Sequence, residues 1–412
     1  MDVLRLVVAA DDRTGALETA GSIADAGLTA VMVPWPRTLD AAGLVGHLDA
    51  HLSGVAPDVI VVDLASRHAS SALAGSRARS TLAIPSARSA HKIDSTLRGN
   101  WAYELGALVA AGRRVLLVPA FPATGRTCVG GIVLEHGVAV TERHAGGDIR
   151  APVRSSRPAD HLRLAGVGSI AGIAGIAGIS GISGISGIVS LGDAEEASQW
   201  LGAGSGPSVG ICDAATDADV RRLCDVWNDA GPDVILAGTA AAIGAGAAVL
   251  CGEVAPRRKP VRLALPLLVV AGSAHPIVRA QTDALIAGGA SEHLVHVSGS
   301  VQTGPPAAVV VLRPPSPIGP VSEEGALAMA AAVGMHAHAW LANHPFATLL
   351  IVGGDTAAQV LGDVAMTVGG TVAPGMPWCR VLAGGHPTGP LVVTKPGGFG
   401  GVDALVALVD GR

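Results

Sequence analysis

Two adjacent acids, Asp11 and Asp12, close the first apolar run of the chain, Leu4-Arg5-Leu6-Val7-Val8-Ala9-Ala10, and stand directly before Arg13-Thr14-Gly15-Ala16. A carboxylate pair in that position suits proton abstraction or the holding of a cation. Capping of the helix that follows is the plainer role for either residue. A second dense run, His91-Lys92-Ile93-Asp94-Ser95-Thr96-Leu97-Arg98-Gly99-Asn100, gathers a lysine, an arginine, an acid, hydroxyls and an amide. That set matches a small anionic, polyhydroxylated ligand, with Lys92 and Arg98 for a carboxylate and Asp94, Ser95 and Asn100 for hydroxyl groups. A solvated turn is the bland alternative. Two further arginines, Arg67 after Val59-Ile60-Val61-Val62-Asp63 and Arg126 in Pro119-Ala120-Phe121-Pro122-Ala123-Thr124-Gly125-Arg126, also follow apolar runs.

The second half of the chain carries a different chemistry. Gly272-Ser273, Gly353-Gly354-Asp355-Thr356 and Lys395-Pro396-Gly397-Gly398-Phe399-Gly400 each follow an apolar run. Glycine lets backbone N–H groups approach an anion, and a helix N-terminus favours negative charge, so three such turns together read as a phosphate cradle. Each turn alone is ordinary turn chemistry. None matches the P-loop or the dinucleotide fingerprint.

These residues need strand ends to present them. Apolar runs at 59–62, 114–118, 209–212 and 234–237 alternate with Ala-rich helical stretches such as 38–52 and 217–228, and a second strand series begins at Pro266 and recurs near 307–312, 348–353 and 391–394. Alternation of this kind predicts mostly parallel sheets covered by helices, and ligands in such folds bind at the carboxyl ends of the strands. At 412 residues the chain exceeds the roughly 250 to 300 at which one core stops growing. Two α/β domains, 1–250 and 266–412, joined by a charged, proline-bounded linker at 251–265, are therefore expected, with the active-site cleft between them.

The chain is 49% hydrophobic but only 2% aromatic, with a mean hydropathy of +0.48. No uninterrupted apolar stretch of about 18 residues and no basic, signal-like start is visible, which predicts a cytoplasmic protein with no membrane partner. The net charge of −5 and the absence of a basic cluster beyond Arg257-Arg258-Lys259 argue against nucleic acid. Five scattered cysteines without a Cys-x-x-Cys spacing predict reduced thiols and no zinc site. From Gly172 the chain repeats Gly-Ile-Ala twice and Gly-Ile-Ser three times, inside a segment near 166–188. Glycine at every third position costs a helix about 1 kcal/mol each, so the repeat reads as an expanded loop in the first domain.

Taken in order, Asp11 to Ala16, Asp94 to Asn100, Pro119 to Arg126, Gly272-Ser273 with Gln281, Gly353 to Thr356, Pro374-Gly375-Met376-Pro377-Trp378 and Lys395 to Gly400 make the chain resemble the four-carbon acid sugar kinases, nearly end to end. The resemblance implies a first domain that binds the acid sugar, a second that binds ATP, and phosphoryl transfer to the terminal hydroxyl of threonate, erythronate or a 3-oxo-tetronate. It places Asp11, Asp12, Arg67, Lys92, Asp94, Ser95, Arg98 and Arg126 at the sugar, and Ser273, Gly353, Gly354, Asp355, Thr356, Gly375, Gly397 and Gly398 at the nucleotide. Asp12, then Asp94, is the expected base; Mg²⁺ would bridge the phosphates, with Asp355 as a ligand directly or through water. A homodimer is the default expectation for such an enzyme. Two departures stand out. Arg13 occupies a position where many members carry Leu or Phe, which bears on substrate choice, and Ala274-His275-Pro276 replaces a small polar run, which bears on nucleotide contacts. A nucleotide-independent dehydratase or aldolase and a non-catalytic sugar-acid sensor remain as competing readings.

Overall fold

The structure is a computed structural model that describes residues 4–35, 43–52, 54–143, 151–168, 187–203, 206, 208–252, 261–273, 275–298, 301, 303–305, 307–316 and 322–411. The Gly-Ile-Ala/Ser repeat and the centre of the expected linker lie outside the described residues. Strand-forming runs fell where apolar periodicity placed them: Leu4–Ala10, Val59–Asp63, Arg114–Val118, Ser208–Cys212 and Val234–Gly238 in the first half, and Leu267–Ala271, Val309–Arg313, Thr348–Val352 and His386–Lys395 in the second. Helices cover both faces, as an α/β fold requires.

The two halves share one sheet. Eight parallel strands of the first half run in the spatial order Ala30–Pro34, Val59–Asp63, Leu4–Ala10, Ser86–Lys92, Val234–Gly238, Arg114–Val118, Ser208–Cys212, Ile188–Leu191. The second half places Ser291–Leu294, Val309–Arg313, Leu267–Ala271, Thr348–Val352 and His386–Lys395 side by side in parallel. An antiparallel pair, Met366–Ala373 and Met376–Ala383, extends from the last of these and joins the halves, with Met366 opposite Met32 and Val368 opposite Ala30. Sequence periodicity gives no warning of this join, because Pro377, Gly369 and Gly370 interrupt the apolar pattern of the hairpin.

Helix Arg13–Asp25 is the hub. Asp12 caps it in extended conformation, and eleven of its 13 residues are buried, so it has no solvent face and packs all round. On one side a Cβ at Gly244, in helix Ala240–Cys251, would lie 2.7 Å from the Cβ of Ser22. On the other, a Cβ at Gly21 would lie 2.9 Å from that of Pro377 in the joining hairpin. Glycine at both contacts lets the first helix sit between its own half and the second. Polar clamps fix the seam at each end. Asp25 accepts from the Thr371 N–H at 3.1 Å and hydroxyl at 2.6 Å, while Arg13 donates to Asp63 at 2.7 Å and to the Gly362 carbonyl at 2.8 Å. Arg13 is thus a buried tie between the halves; its expected bearing on substrate choice is corrected, because its guanidinium engages Asp63 and the C-terminal end of helix Gly354–Leu361.

Helix Glu323–Asn343 is long and apolar enough by composition to cross a membrane, with a mean hydropathy of 1.2. In the fold it carries Ala332, Val333, Ala337 and Trp340 in the core of the second half and lies against helix Gly354–Leu361.

Replacing Arg13 with Met strands the Asp63 carboxylate, which is 2% exposed. The expected loss is about 3–5 kcal/mol of unfolding free energy in urea titration, smaller when Asp63→Asn is added, because the second change removes the orphaned charge.

Candidate active site

The strand ends of both halves meet over the first turn of helix Arg13–Asp25. Strand Leu4–Ala10 delivers Asp11 and Asp12, its neighbour Val59–Asp63 delivers Arg67, and its other neighbour Ser86–Lys92 delivers Lys92 and Asp94. The sheet order reverses around the first strand, which opens the crevice that side chains from both neighbours fill.

Arg67 is the centre of this group. Its guanidinium reaches Asp11 at 2.7 Å, Asp12 at 2.7 Å and Asp94 at 3.1 Å. Asp94 also receives Arg98 through both oxygens, at 3.0 and 2.9 Å, and the N–H and hydroxyl of Thr96. Burial works to raise Asp94, but Arg98 and Arg67 prevail and hold its carboxyl well below the usual carboxylate range. Asp11 has no exposed surface, and burial pushes it up to about 6 against the pull of Arg67. Asp12 accepts from the Gly15 N–H at 2.8 Å while its other oxygen meets Arg67. Capping and site chemistry therefore coexist in one side chain. Lys92 donates to the Ile93 carbonyl at 2.8 Å, and its ammonium lies 3.1 Å from where a Cβ at Gly15 would stand.

Arg126 lies over the ring of Phe399, 4.9 Å from its centre, and pairs with Glu135 at 2.6 Å. Phe399 belongs to the second half, so this arginine is held at the seam. Ser95 is half-buried at the end of the same turn as Asp94. Asn100 departs from expectation: both of its amide protons go to carbonyls, of Ser66 and Ala69, at 2.8 Å, which fixes the loop carrying Arg67.

Across the seam, three adjacent strands end together. Gly272-Ser273, Gly353 to Thr356 and Lys395 to Gly398 follow strands Leu267–Ala271, Thr348–Val352 and His386–Lys395, which are neighbours in the sheet. The packing is tight: a Cβ at Gly397 would collide with the Ser273 hydroxyl, one at Gly272 with the Thr356 hydroxyl, and one at Gly353 would lie 3.1 Å from the Ser273 Cβ. Gly353 has φ 107°, which side chains rarely tolerate. His275 accepts from the Ile277 N–H at 3.2 Å as the cap of helix Pro276–Ala287 and stands 3.3 Å from a Cβ at Gly398, so the departure at this position does border the glycine loop. Gln281 donates to the carbonyls of Phe399, Gly400 and Gly401, holding that loop in place. The two sides also meet at the first turn of the hub helix. A Cβ at Gly354, the first residue of its helix, would lie 3.0 Å from both Asp12 Oδ2 and Thr14 Oγ1.

Residues 6–246 match the family model for a sugar-binding N-terminal domain and residues 317–405 that for a nucleotide-binding C-terminal domain. The chain is 30% identical to the D-threonate kinase of Bordetella bronchiseptica, over 97% of this chain and 95% of that protein. The chain belongs to the four-carbon acid sugar kinase family. It is 27% identical to the 3-oxo-tetronate kinase of Methylobacterium radiotolerans, over 99% of both. The fold is shared with solved proteins of Salmonella typhimurium, at 17% identity, TM-score 0.70 and 98% of each chain, and of Haemophilus influenzae, at 17% identity, TM-score 0.66 and 98% and 99% of the two chains. As a phosphotransferase, the protein is neither a nucleotide-independent lyase nor a non-catalytic sensor.

Three buried features of this region escape sequence reading. Glu18 is buried beside Lys92, with 4.0 Å between them, and burial pushes it up to about 7. Its only sequence signal is helical spacing, one and two turns beyond Thr14 and Asp11. Lys395 ends its strand fully buried, donating to the Pro396 and Gly397 carbonyls at 3.0 and 3.2 Å, and burial lowers it to about 8. His91 and Glu104, both fully buried, pair at 2.8 Å, and Glu104 accepts from Ser66 beneath the Arg67 loop. No motif links residues 91 and 104.

Glu18 and Asp11 both hold protons more tightly when folded than when unfolded, so their contribution to stability is full at low pH and is lost as pH rises through about 6 to 7. Asp94 acts oppositely, in a separate window below pH 4. Glu18→Gln is expected to flatten the fall in unfolding free energy between pH 4 and pH 8 by roughly 3 kcal/mol, the equivalent of a shift from 4.5 to about 7, as read by urea titration at each pH.

Proposed function

We propose that this kinase uses ATP to phosphorylate the C4 hydroxyl of a four-carbon acid sugar, threonate, erythronate or a 3-oxo-tetronate, with residues 1–250 holding the sugar and 266–412 the nucleotide. One observation carries the reading: the N-terminus of helix Gly354–Leu361, behind the glycine turns, abuts Asp12. Phosphates favour helix N-termini, and an acid favours an acceptor hydroxyl, so donor and acceptor sit on opposite sides of a single contact. The activities named for relatives along the whole chain, D-threonate kinase and 3-oxo-tetronate kinase, support the substrate class.

Phosphoryl transfer asks a protein for positioning and charge neutralisation. On the nucleotide side Ser273, Gly353, Gly354, Thr356, Gly397 and Gly398 line the phosphates with small side chains and backbone; Gly375, expected there, lies instead against Phe399 and Glu18. On the sugar side Lys92, with one carbonyl acceptor, and Arg126, with an unpartnered buried Nε, take the carboxylate. Arg67 and Arg98 keep Asp94 ionised and the acids in register. Asp12 takes the proton from the C4 hydroxyl; Asp94, saturated by Arg98, Arg67 and Thr96, anchors the wall and makes a poor base.

Among the described residues no group of three or more His, Cys, Asp and Glu side chains converges on a metal position. A Mg²⁺ that draws most of its ligands from phosphate and water fits such a donor set, with Asp355, in the first turn of its helix, as a carboxylate that would hold it directly or through water. Bound there, the ion supplies neutralisation of phosphate charge.

ADP release from ATP and Mg²⁺ against threonates, erythronates and 3-oxo-tetronates, with glycerate and pentonates as controls, tests the reading; turnover confined to a tetronate is expected, and silence on all of them refutes it. Asn at position 12 can still cap the helix, so Asp12→Asn is expected to fold normally and lower kcat by about 10²- to 10⁴-fold. Near-normal kcat in that variant would exclude Asp12 as the base.

A further inference from the structure

Three buried polar atoms on one strip of the hub helix and its lead-in lack hydrogen-bond partners among the described residues: Asp11 Oδ1, Thr14 Oγ1 and Glu18 Oε1. Native interiors leave few such atoms; Thr14 and Glu18 share a helix face at i and i+4, and Asp11 Oδ1, from the preceding strand end, lies 3.6 Å from where a Cβ at Gly15 would stand, so the three together suit a ligand with several hydroxyl groups. Gly15 lies within the strip, and a Cβ there would stand 2.7 Å from Asp12 Oδ1 and 3.1 Å from the Lys92 ammonium, so the glycine lets both groups pack against the helix. Asp11 and Thr14 sit where the two halves meet. Glu18 lies further along, and the mechanism above gives it no role.

Two other elements border the Glu18 carboxylate. Lys92 from strand Ser86–Lys92 lies 4.0 Å from one oxygen, and a Cβ at Gly375, at the tip of the joining hairpin, would lie 3.1 Å from the other. Gly375 has φ 72° and no side chain, and the Phe399 ring occupies the place a Cβ would take. Arg126 lies over that ring. The charged groups acting on Glu18 are Lys92, Arg126, Asp12 and Asp94. Two cations for a carboxylate therefore stand beside an acid with unmet hydrogen-bonding capacity.

We propose that Glu18 is a substrate-binding residue that hydrogen-bonds the C2 hydroxyl of the acid sugar, the hydroxyl next to the carboxylate held by Lys92 and Arg126. The proposal rests on the acid sugar kinase reading and extends it. With C4 at Asp12 and the carboxylate at Lys92, the group nearest the carboxyl end meets Glu18. A C2 hydroxyl is present in threonates, erythronates and 3-oxo-tetronates, so this contact recognises the class; D-threonate and D-erythronate are epimers at C2, so the direction of that hydroxyl toward Glu18 also bears on the choice between them, while a 3-oxo group is read at C3. A buried acid left without its hydroxyl partner rejects the deoxy analogue, because the loss includes an unsatisfied polar group.

Calorimetric titration of the full-length protein with the tetronate it turns over, and with the matching 2-deoxy compound, tests this directly. The wild type is expected to bind the 2-deoxy acid about tenfold more weakly. In Glu18→Met, which keeps the volume and removes the polar end, the parent tetronate weakens by a similar factor and the preference over the 2-deoxy acid disappears, with KM for ATP within twofold. Glu18→Asp, which withdraws the carboxyl by one methylene, lowers the preference severalfold and covers the case in which the Met variant fails to fold. Retention of the full preference in either variant, or its absence in the wild type, overturns the proposal while leaving the kinase reading intact. Failure of the wild type to bind or turn over any tetronate overturns both.

Discussion

One guanidinium holding three carboxylates is the constraint on which the sugar side depends. Asp11, Asp12 and Asp94 arrive from two adjacent strand ends, and Arg67 from a third donates a hydrogen bond to Asp11 and forms ion pairs with Asp12 and Asp94. Three buried acids within reach of one another repel and resist ionisation. Arg67 offsets that repulsion and sets their spacing, because its planar fork can satisfy only acceptors placed around its rim. The layer below repeats the logic. Glu104 ties Ser66 to His91, and Asn100 pins the carbonyls of Ser66 and Ala69, so the loop that aims Arg67 is itself fixed from beneath.

The nucleotide side solves the opposite problem with almost no side chains. Its three turns approach so closely that added Cβ atoms would strike Ser273 and Thr356, which leaves backbone as the lining. What fixes this surface relative to the sugar is the hub helix. Asp12, Arg13 and Thr14 meet the two ends of helix Gly354–Leu361, Asp25 holds Thr371, and the antiparallel join between Ala30–Pro34 and Met366–Ala373 makes the sheet continuous beneath. A rotation of one half against the other would have to break buried polar contacts along the whole helix. The geometry at the Asp12 and Gly354 contact is accordingly a property of packing more than of a flexible connection.

Strand ends and their chemistry were legible because local sequence encodes them. The apolar run before Asp11, the polar density of Lys92 to Asn100 and the glycine turns are each readable within ten residues, and the motif order added the family. Long-range pairing was not legible. Arg13 reads as a substrate-side oddity until the structure turns it onto Asp63 and Gly362, some 50 and 349 positions away. The joining hairpin hides behind glycines and Pro377, and the pair His91 and Glu104 is defined only by a neighbouring strand and helix. Asn100 carries the right functional groups for a hydroxyl ligand, yet its donors are consumed by backbone carbonyls that no sequence pattern announces.

The three acids around Arg67 are chemically alike and end up unequal. Asp94 receives a second guanidinium and is held ionised, with its lone pairs occupied. Asp11 sits deepest, loses more to desolvation than Arg67 returns, and is the one that takes up a proton near pH 6. A base must be ionised at working pH, keep an accessible lone pair and face the reacting group. Asp94 fails the second condition and Asp11, without exposed surface, the third. Asp12 retains partial exposure, 18% of its side chain, and is the acid against which the first residue of the Gly354–Leu361 helix is packed. The same cluster that neutralises charge thus sorts its members by burial and by number of donors, and that sorting supports the proposal that Asp12 is the base.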